Sequence, residues 1–412
     1  MSRVSGFELA SFLLVTTLLS APSGAQAAPG YDPHETFAPL TLPGPVNTYR
    51  SGDGAPGPGY WQNRADYDIK ARLDPATKVL TATETITYTN NSPDALASLW
   101  VQLDENTYRR DARAAVSSDH RKRDEFTDGY SIDSVEIERD GQTAKAEHLV
   151  SDTRMQVHLD QPLKGGQKLR LKIAYHYVVP GMFGGRTAWT DTKNGPIFDL
   201  AQWFPRMCVY DDVRGWDTLP YLAQEFYLEY GDFDYAVTVP ADMMVMGTGE
   251  LTNPQEVLSA EERRRLDQAR ASDATVLIRT PAEVAAAAKA PKPVGERTWR
   301  YHMASTRDVA FSASPAFVWD AARINLPGGK TALAESVYPT ESVGEGAWSR
   351  STEYLKDAVE HFSRRWSVYP YPTAVNVAGG ASGMEYPGLA FDGIEDKGKE
   401  LFWITAHEIG HT

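Results

Sequence analysis

Leu401-Phe402-Trp403-Ile404-Thr405-Ala406-His407-Glu408-Ile409-Gly410-His411 decides the reading of this chain. It combines an apolar, aromatic run, expected to form one buried helix, with the pattern H-E-x-x-H. On a helix, positions i and i+4 lie one turn apart on the same face. His407 and His411 can therefore converge on one metal ion, zinc by this pattern, while Glu408 stays free to act as a base on water. Gly410 supports that reading. A glycine inside a helix costs about 1 kcal/mol relative to alanine, so a neighbour is expected to approach too closely for a side chain.

Outward from the motif, the texture alternates between helix and strand. Trp348, Leu355, Val359, Phe362 and Trp366 form the stripe of an amphipathic helix, and two short apolar strands follow, 374–378 and 389–391. Further upstream the period falls to two. Tyr67, Ile69, Ala71 and Leu73 alternate with charged residues; Leu80, Ala82, Ile86 and Tyr88 alternate with threonines. Leu99, Val101 and Leu103 suggest a third strand. Met155-Val157-Leu159 and Leu169-Leu171-Ile173 flank Gly165-Gly166 as an expected hairpin. The expected fold class is multidomain, β followed by α/β: a β-sandwich-like domain over 60–319, then a second unit over 320–412. Residues 254–296, charged and then alanine-rich, are expected to add two short surface helices and a linker.

With 412 residues the chain is long enough for two or three domains. Its 55 acidic against 41 basic residues give a net charge of −14, which argues against a nucleic-acid partner. Arg3, the apolar run Leu9 to Leu19 and Ala25-Gln26-Ala27 have the layout of a secretory signal over 1–27, ahead of a Pro/Gly-rich lead-in over 28–59. No segment has the length of a stable membrane span. The single cysteine, Cys208, rules out an internal disulfide and is expected to be buried. Export without disulfides points to a bacterial periplasm or medium. His361 falls on the polar side of its helix and is expected to face solvent.

Gly383-Met384-Glu385-Tyr386-Pro387-Gly388 places Glu385 22 residues before His407. A Gly-Met-Glu segment followed by H-E-I-G-H resembles the aminopeptidase N family of gluzincin zinc metallopeptidases. Tyr67-Asp68-Ile69, Asn90-Asn91-Ser92, Ala201-Gln202-Trp203-Phe204-Pro205 and Gly247-Thr248-Gly249-Glu250-Leu251 look like family landmarks in order, so the resemblance covers about residues 60 to 412. It implies a thermolysin-like second domain and zinc held by His407 and His411, with Glu408 as general base. It further implies peptide substrates with a free N-terminus, their α-amine bound by Glu385 on the Gly383-Met384-Glu385 segment and by Gln202. The family's third zinc ligand is a glutamate on the next helix, about twenty residues on. That position lies past Thr412, so the expectation is an incomplete record whose chain as given binds zinc weakly and does not turn over peptides. Phe204 and Tyr386 depart from the family pattern, where a second polar residue and an asparagine are usual.

The chemistry supports the resemblance independently. A peptide bond needs a polarised carbonyl and an activated water, and an exopeptidase needs an anion where the substrate ammonium lies. Alternatives remain for single residues: a salt-bridged surface carboxylate for Glu385, a structural hydrogen bond for Gln202. Two remain for the whole chain: a catalytically incompetent protein-binding module, or an epoxide hydrolase of the leukotriene-hydrolase type on the same scaffold.

Overall fold

Alternation along Arg64–Asp74 buries Ala65, Tyr67, Ile69, Ala71 and Leu73 and leaves the charged residues between them towards solvent. That strand lies inside an eight-stranded sheet of the computed structural model, which describes residues 47–117, 126–181, 185–222, 224–344 and 346–412. The signal-like segment and most of the lead-in fall outside the described residues. Chain contacts separate residues 1–60 from 61–412. Within the first unit, residues 47–60 turn back on themselves through Gly57 N donating to Tyr49 O at 2.7 Å.

In the second unit the eight-stranded sheet is antiparallel except where Arg64–Asp74 and Gly231–Pro240 run parallel. Two four-stranded sheets accompany it. One is centred on Leu96–Gln102 and Arg154–Leu163, the other on Phe311–Ser314 and Ile197–Leu200. A single buried cluster joins Ile69 and Leu171 of the large sheet, Leu99 and Val157 of the second, and Phe198 and Phe311 of the third. The expected sandwich character is thus observed. The alternation of Val79–Thr89 carries Glu84 onto the buried face, where neither carboxylate oxygen has a hydrogen-bond partner among the described residues and burial raises its pKa well above the usual range.

The expected hairpin around Gly165-Gly166 does not form. Arg154–Leu163 pairs with Leu96–Gln102, whereas Lys168–Val178 pairs with Val79–Thr89, so the two strands belong to different sheets. Asn90 explains the crossing. Its side chain donates to Leu163 O at 2.8 Å and its carbonyl accepts from Gly166 N at 2.7 Å. Those bonds satisfy the connector's backbone at a sheet corner, where a hairpin would have used a ladder.

Residues 254–296 also differ from expectation. They hold helices Pro254–Val257, Ala260–Arg270 and Pro281–Ala287, with a strand, Val276–Arg279, between the last two. Ser259 with Glu262, and Thr280 with Glu283, form capping boxes that fix two of the helix starts. The strand pairs antiparallel with Val318–Asn325 and begins a six-stranded sheet. It continues through Thr331–Tyr338, Thr373–Gly379 and Leu389–Gly393 to the short edge strand Met384–Tyr386. Helices Ser351–Arg365 and Gly398–Gly410 pack against it, with Leu355, Val359 and Ile409 in one buried cluster beside Ile324 and Ala374. Trp366, the last residue of the stripe, is 77% exposed because the helix ends at Arg365.

Candidate active site

The helix Gly398–Gly410 meets the sheet along Leu401, Thr405, Glu408 and Ile409, spaced at one and two turns. The opposite side is open, with Phe402 49% and Trp403 60% exposed, so the helix is half-buried rather than buried throughout. A buried polar chain sets its height on the sheet. Asn376 donates to both Ser351 Oγ (3.0 Å) and Thr405 Oγ1 (2.9 Å), and Thr405 donates to Asp392 Oδ2 at 3.1 Å. Burial pushes the Asp392 carboxyl up to about 7. Phe362, from the neighbouring helix, occupies the space above Gly410. A Cβ there would stand 3.2 Å from the Phe362 ring, which accounts for the glycine.

His407 and His411 lie one turn apart with ring centroids 4.8 Å apart, and the His407 ring stacks on Trp403 at 5.1 Å. Their Nε2 atoms are 3.2 Å apart. A tetrahedral zinc with Zn–N bonds of about 2.0–2.1 Å spaces two nitrogen ligands about 3.3–3.4 Å apart, so the pair fits such an ion. Among the described residues no group of three or more His, Cys, Asp or Glu could hold a metal. The pair thus offers two nitrogen donors at that spacing. Glu408 faces inward and is buried. Burial raises its pKa to about 7, with the negative charge of Glu385 adding to the rise and His411 and Arg186 opposing it.

Glu385 sits on the edge strand Met384–Tyr386, opposite Ala390, and is half-buried. It lines a cleft of about 390 Å³ together with Tyr386, His411, Arg186, Glu225 and Asp308. Gly383 and Met384 lead into this strand, Gly383 N donating to Phe391 O at 2.8 Å. Gln202 is placed behind that wall. It is 4% exposed with φ +50, its backbone carbonyl accepts from Tyr130 Oη at 2.8 Å, and its side-chain Nε2 has no hydrogen-bond partner among the described residues. Burial pushes the Tyr386 phenol up, with Arg186 and Gln202 beside it acting the other way. Phe204 is fully buried against Tyr67, Trp203 and Phe233 and takes no part in the cleft. His361 is exposed and Cys208 is buried, as expected.

Arg186, which carries no motif, is the principal addition. Its Nη2 donates to Glu225 Oε1 at 2.6 Å, and its guanidinium lies 5.0 Å from the Phe226 ring centroid. Burial works against its charge, but Tyr386, Tyr221, Glu225 and Glu385 outweigh that and hold it protonated. Beneath it Arg206, 1% exposed, binds Asp104 Oδ2 at 2.6 Å and Asp308 Oδ2 at 2.7 Å. Arg186 is separated in sequence from every site motif, so spacing gives no sign of it, whereas Arg206 directly follows the Ala201–Pro205 landmark.

The β-rich region leading into a mixed sheet is a fold shared with solved M1 zinc metallopeptidases. One solved structure similar to this chain is an M1 zinc metallopeptidase from Deinococcus radiodurans, with 14% identity over 86% of this chain and 65% of that one, at a TM-score of 0.50. A mutant two-domain M1 zinc metallopeptidase bound to L-arginine is also similar, with 14% identity, 84% and 64% coverage and a TM-score of 0.49. The chain therefore spans less than two thirds of the length of these structures. No protein-family model and no curated protein sequence matches it.

Proposed function

We propose that this protein is a zinc metallopeptidase of aminopeptidase type, acting on peptides with a free N-terminus. The observation that carries the proposal is the approach of His407 and His411 Nε2 to 3.2 Å beside buried Glu408, with Glu385 and His411 on the same cleft. His407 and His411 would hold the zinc. A bound zinc supplies a Lewis acid that polarises the scissile carbonyl and acidifies water. Glu408 takes the proton from water and returns it to the leaving amine, a role suited to a carboxylate whose pKa burial has raised. Glu385 offers a charge-assisted partner to the substrate ammonium. The edge strand Met384–Tyr386 presents backbone groups to an extended peptide. Gln202, 4% exposed, does not line the cleft, so Glu385 is the amine-binding residue of this proposal.

The test is a panel of fluorogenic aminoacyl substrates and their N-acetylated versions, with and without a chelator. In a form of the protein whose zinc site is completed by a third ligand, chelator-sensitive turnover of the free substrates alone is expected, with Glu408→Gln reducing it by about 10²–10⁴-fold while leaving zinc content unchanged. Equal turnover of blocked substrates, or near-native turnover by the variant, overturns the assignment. We further propose export, supported by the signal-like residues Arg3 to Ala27. Among the described residues no helix is long and apolar enough to cross a membrane. Recovery of protein beginning at Ala28 from periplasm or medium is the expected result.

A further inference from the structure

A second cavity, of about 340 Å³, opens where residues 254–297 pack on the large sheet, and it shares no lining residue with the Glu385 cleft. Its lining mixes apolar and polar groups in about equal parts, Asp242, Glu262 and Lys292 among the latter. Met243, Met244, Val257, Leu258 and Trp299 line it, each no more than 6% exposed. Into this setting the edge strand Val276–Arg279 brings the Arg279 side chain, and the strand Glu296–Thr306 of the eight-stranded sheet brings Arg297.

Neither arginine has an ion-pair partner among the described residues; Arg297 Nη1 donates to Val257 O at 3.3 Å, whereas the Arg279 side chain makes no hydrogen bond there. Three carboxylates lie near Arg279, and each is engaged elsewhere. Glu262 accepts from Ser259 N at 2.8 Å, Asp242 pairs with Lys292 at 3.1 Å, and Glu283 pairs with Arg265 at 2.9 Å. Burial lowers the Arg279 pKa, with Glu262, Glu283 and Asp242 acting the other way. The indole N–H of Trp299, also buried, has no acceptor among the described residues. Buried donors without acceptors are costly unless a ligand supplies the acceptors.

We propose that this cavity binds a small monocarboxylate with an apolar body, its carboxylate forked by the Arg279 guanidinium and its body lying against Met243, Met244 and Leu258. The planar fork of arginine matches a carboxylate in two parallel hydrogen bonds. Apolar side chains that take a ligand's body beside a charged group that fixes its polar end are the usual division in such sites. The neighbouring Glu262 and Asp242 would repel a multiply charged phosphate, so a single negative charge is favoured. The site is independent of the peptidase reading.

Calorimetric titration of the full chain tests it, with octanoate as a lipid-like probe and N-acetyl-leucine as a peptide-like one. Octanamide and inorganic phosphate serve as controls. Saturable 1:1 binding of one or both carboxylates is expected, with no binding of octanamide or phosphate, and the tighter carboxylate identifies the source. Arg279→Met should raise its Kd about tenfold or more, and Arg279→Lys should recover part of the loss. Ala287→Trp, at an exposed wall position, should obstruct the cavity without touching the charge and weaken binding equally. The idea is overturned if neither carboxylate binds, or if octanamide or phosphate binds as tightly. It also fails if folded Arg279→Met or Ala287→Trp binds like the native chain.

Discussion

Asp199 Oδ2 accepts a hydrogen bond from Gly380 N at 2.7 Å and lies directly over the Cα of Gly379. Asp199 belongs to Ile197–Leu200 in a four-stranded sheet, and Gly379 ends a central strand of the six-stranded sheet. The backbone from Gly379 runs into Gly383, Met384 and Glu385. One carboxylate thus ties the β-rich region to the wall of the candidate active site.

Gly379→Ala is expected to destabilise the protein by about 1–3 kcal/mol, because a Cβ there would collide with the Asp199 carboxylate. Chemical denaturation would measure the change. A midpoint equal to the native one would show that the Asp199 contact can relax freely.

Asp199 also gives stability a pH signature. Burial raises its pKa to about 6, against the pull of Ser312 and the Ala381 and Gly380 amides. A carboxyl whose folded pKa exceeds its unfolded value of about 3.9 favours the native state fully below that value, and the advantage is lost as pH rises through 6. Asp199→Asn cannot titrate. Its stability relative to the native chain should therefore rise between about pH 4 and 7, by an amount on the order of 2 kcal/mol. Parallel stability–pH curves for the two proteins would rule this out.

Thr405→Val keeps the volume of the side chain and removes its hydroxyl. Asp392 then loses its donor in a fully buried position, and Asn376 loses an acceptor. A loss of about 1–3 kcal/mol is expected. A thermal melt unchanged from native would show that the polar chain does not hold the helix.

Glu385→Ala is expected to weaken binding of free-N-terminus peptides by roughly 10–150-fold, the equivalent of about 1.5–3 kcal/mol for a charge-assisted hydrogen bond. N-acetylated inhibitors should be little affected. Inhibition constants for a matched free and blocked pair make the comparison, and equal losses for both would assign Glu385 a structural role.

Local pattern made much of this protein legible. Period-two alternation in 64–74 and 79–89, the stripe through Leu355 and Val359, and the H-E-x-x-H helix all follow from rules acting within a few residues. Tertiary structure decided which strands pair. Arg154–Leu163 and Lys168–Val178 are neighbours in sequence but lie in separate sheets, because Asn90 satisfies the backbone at the corner between them. The strand Val276–Arg279 escaped detection because only Ile278 is buried, which leaves no alternation to read. Arg186 and Arg279 have meaning only through what surrounds them: a cleft with Glu225 and Glu385 for one, a cavity with Met243, Met244 and Leu258 for the other. The spacing of His407 and His411 is a property of the helix and is visible in sequence. Burial, the placing of Glu408 near Glu385 and the bond from Asp199 to Gly380 depend on long-range packing, which no window of local sequence contains.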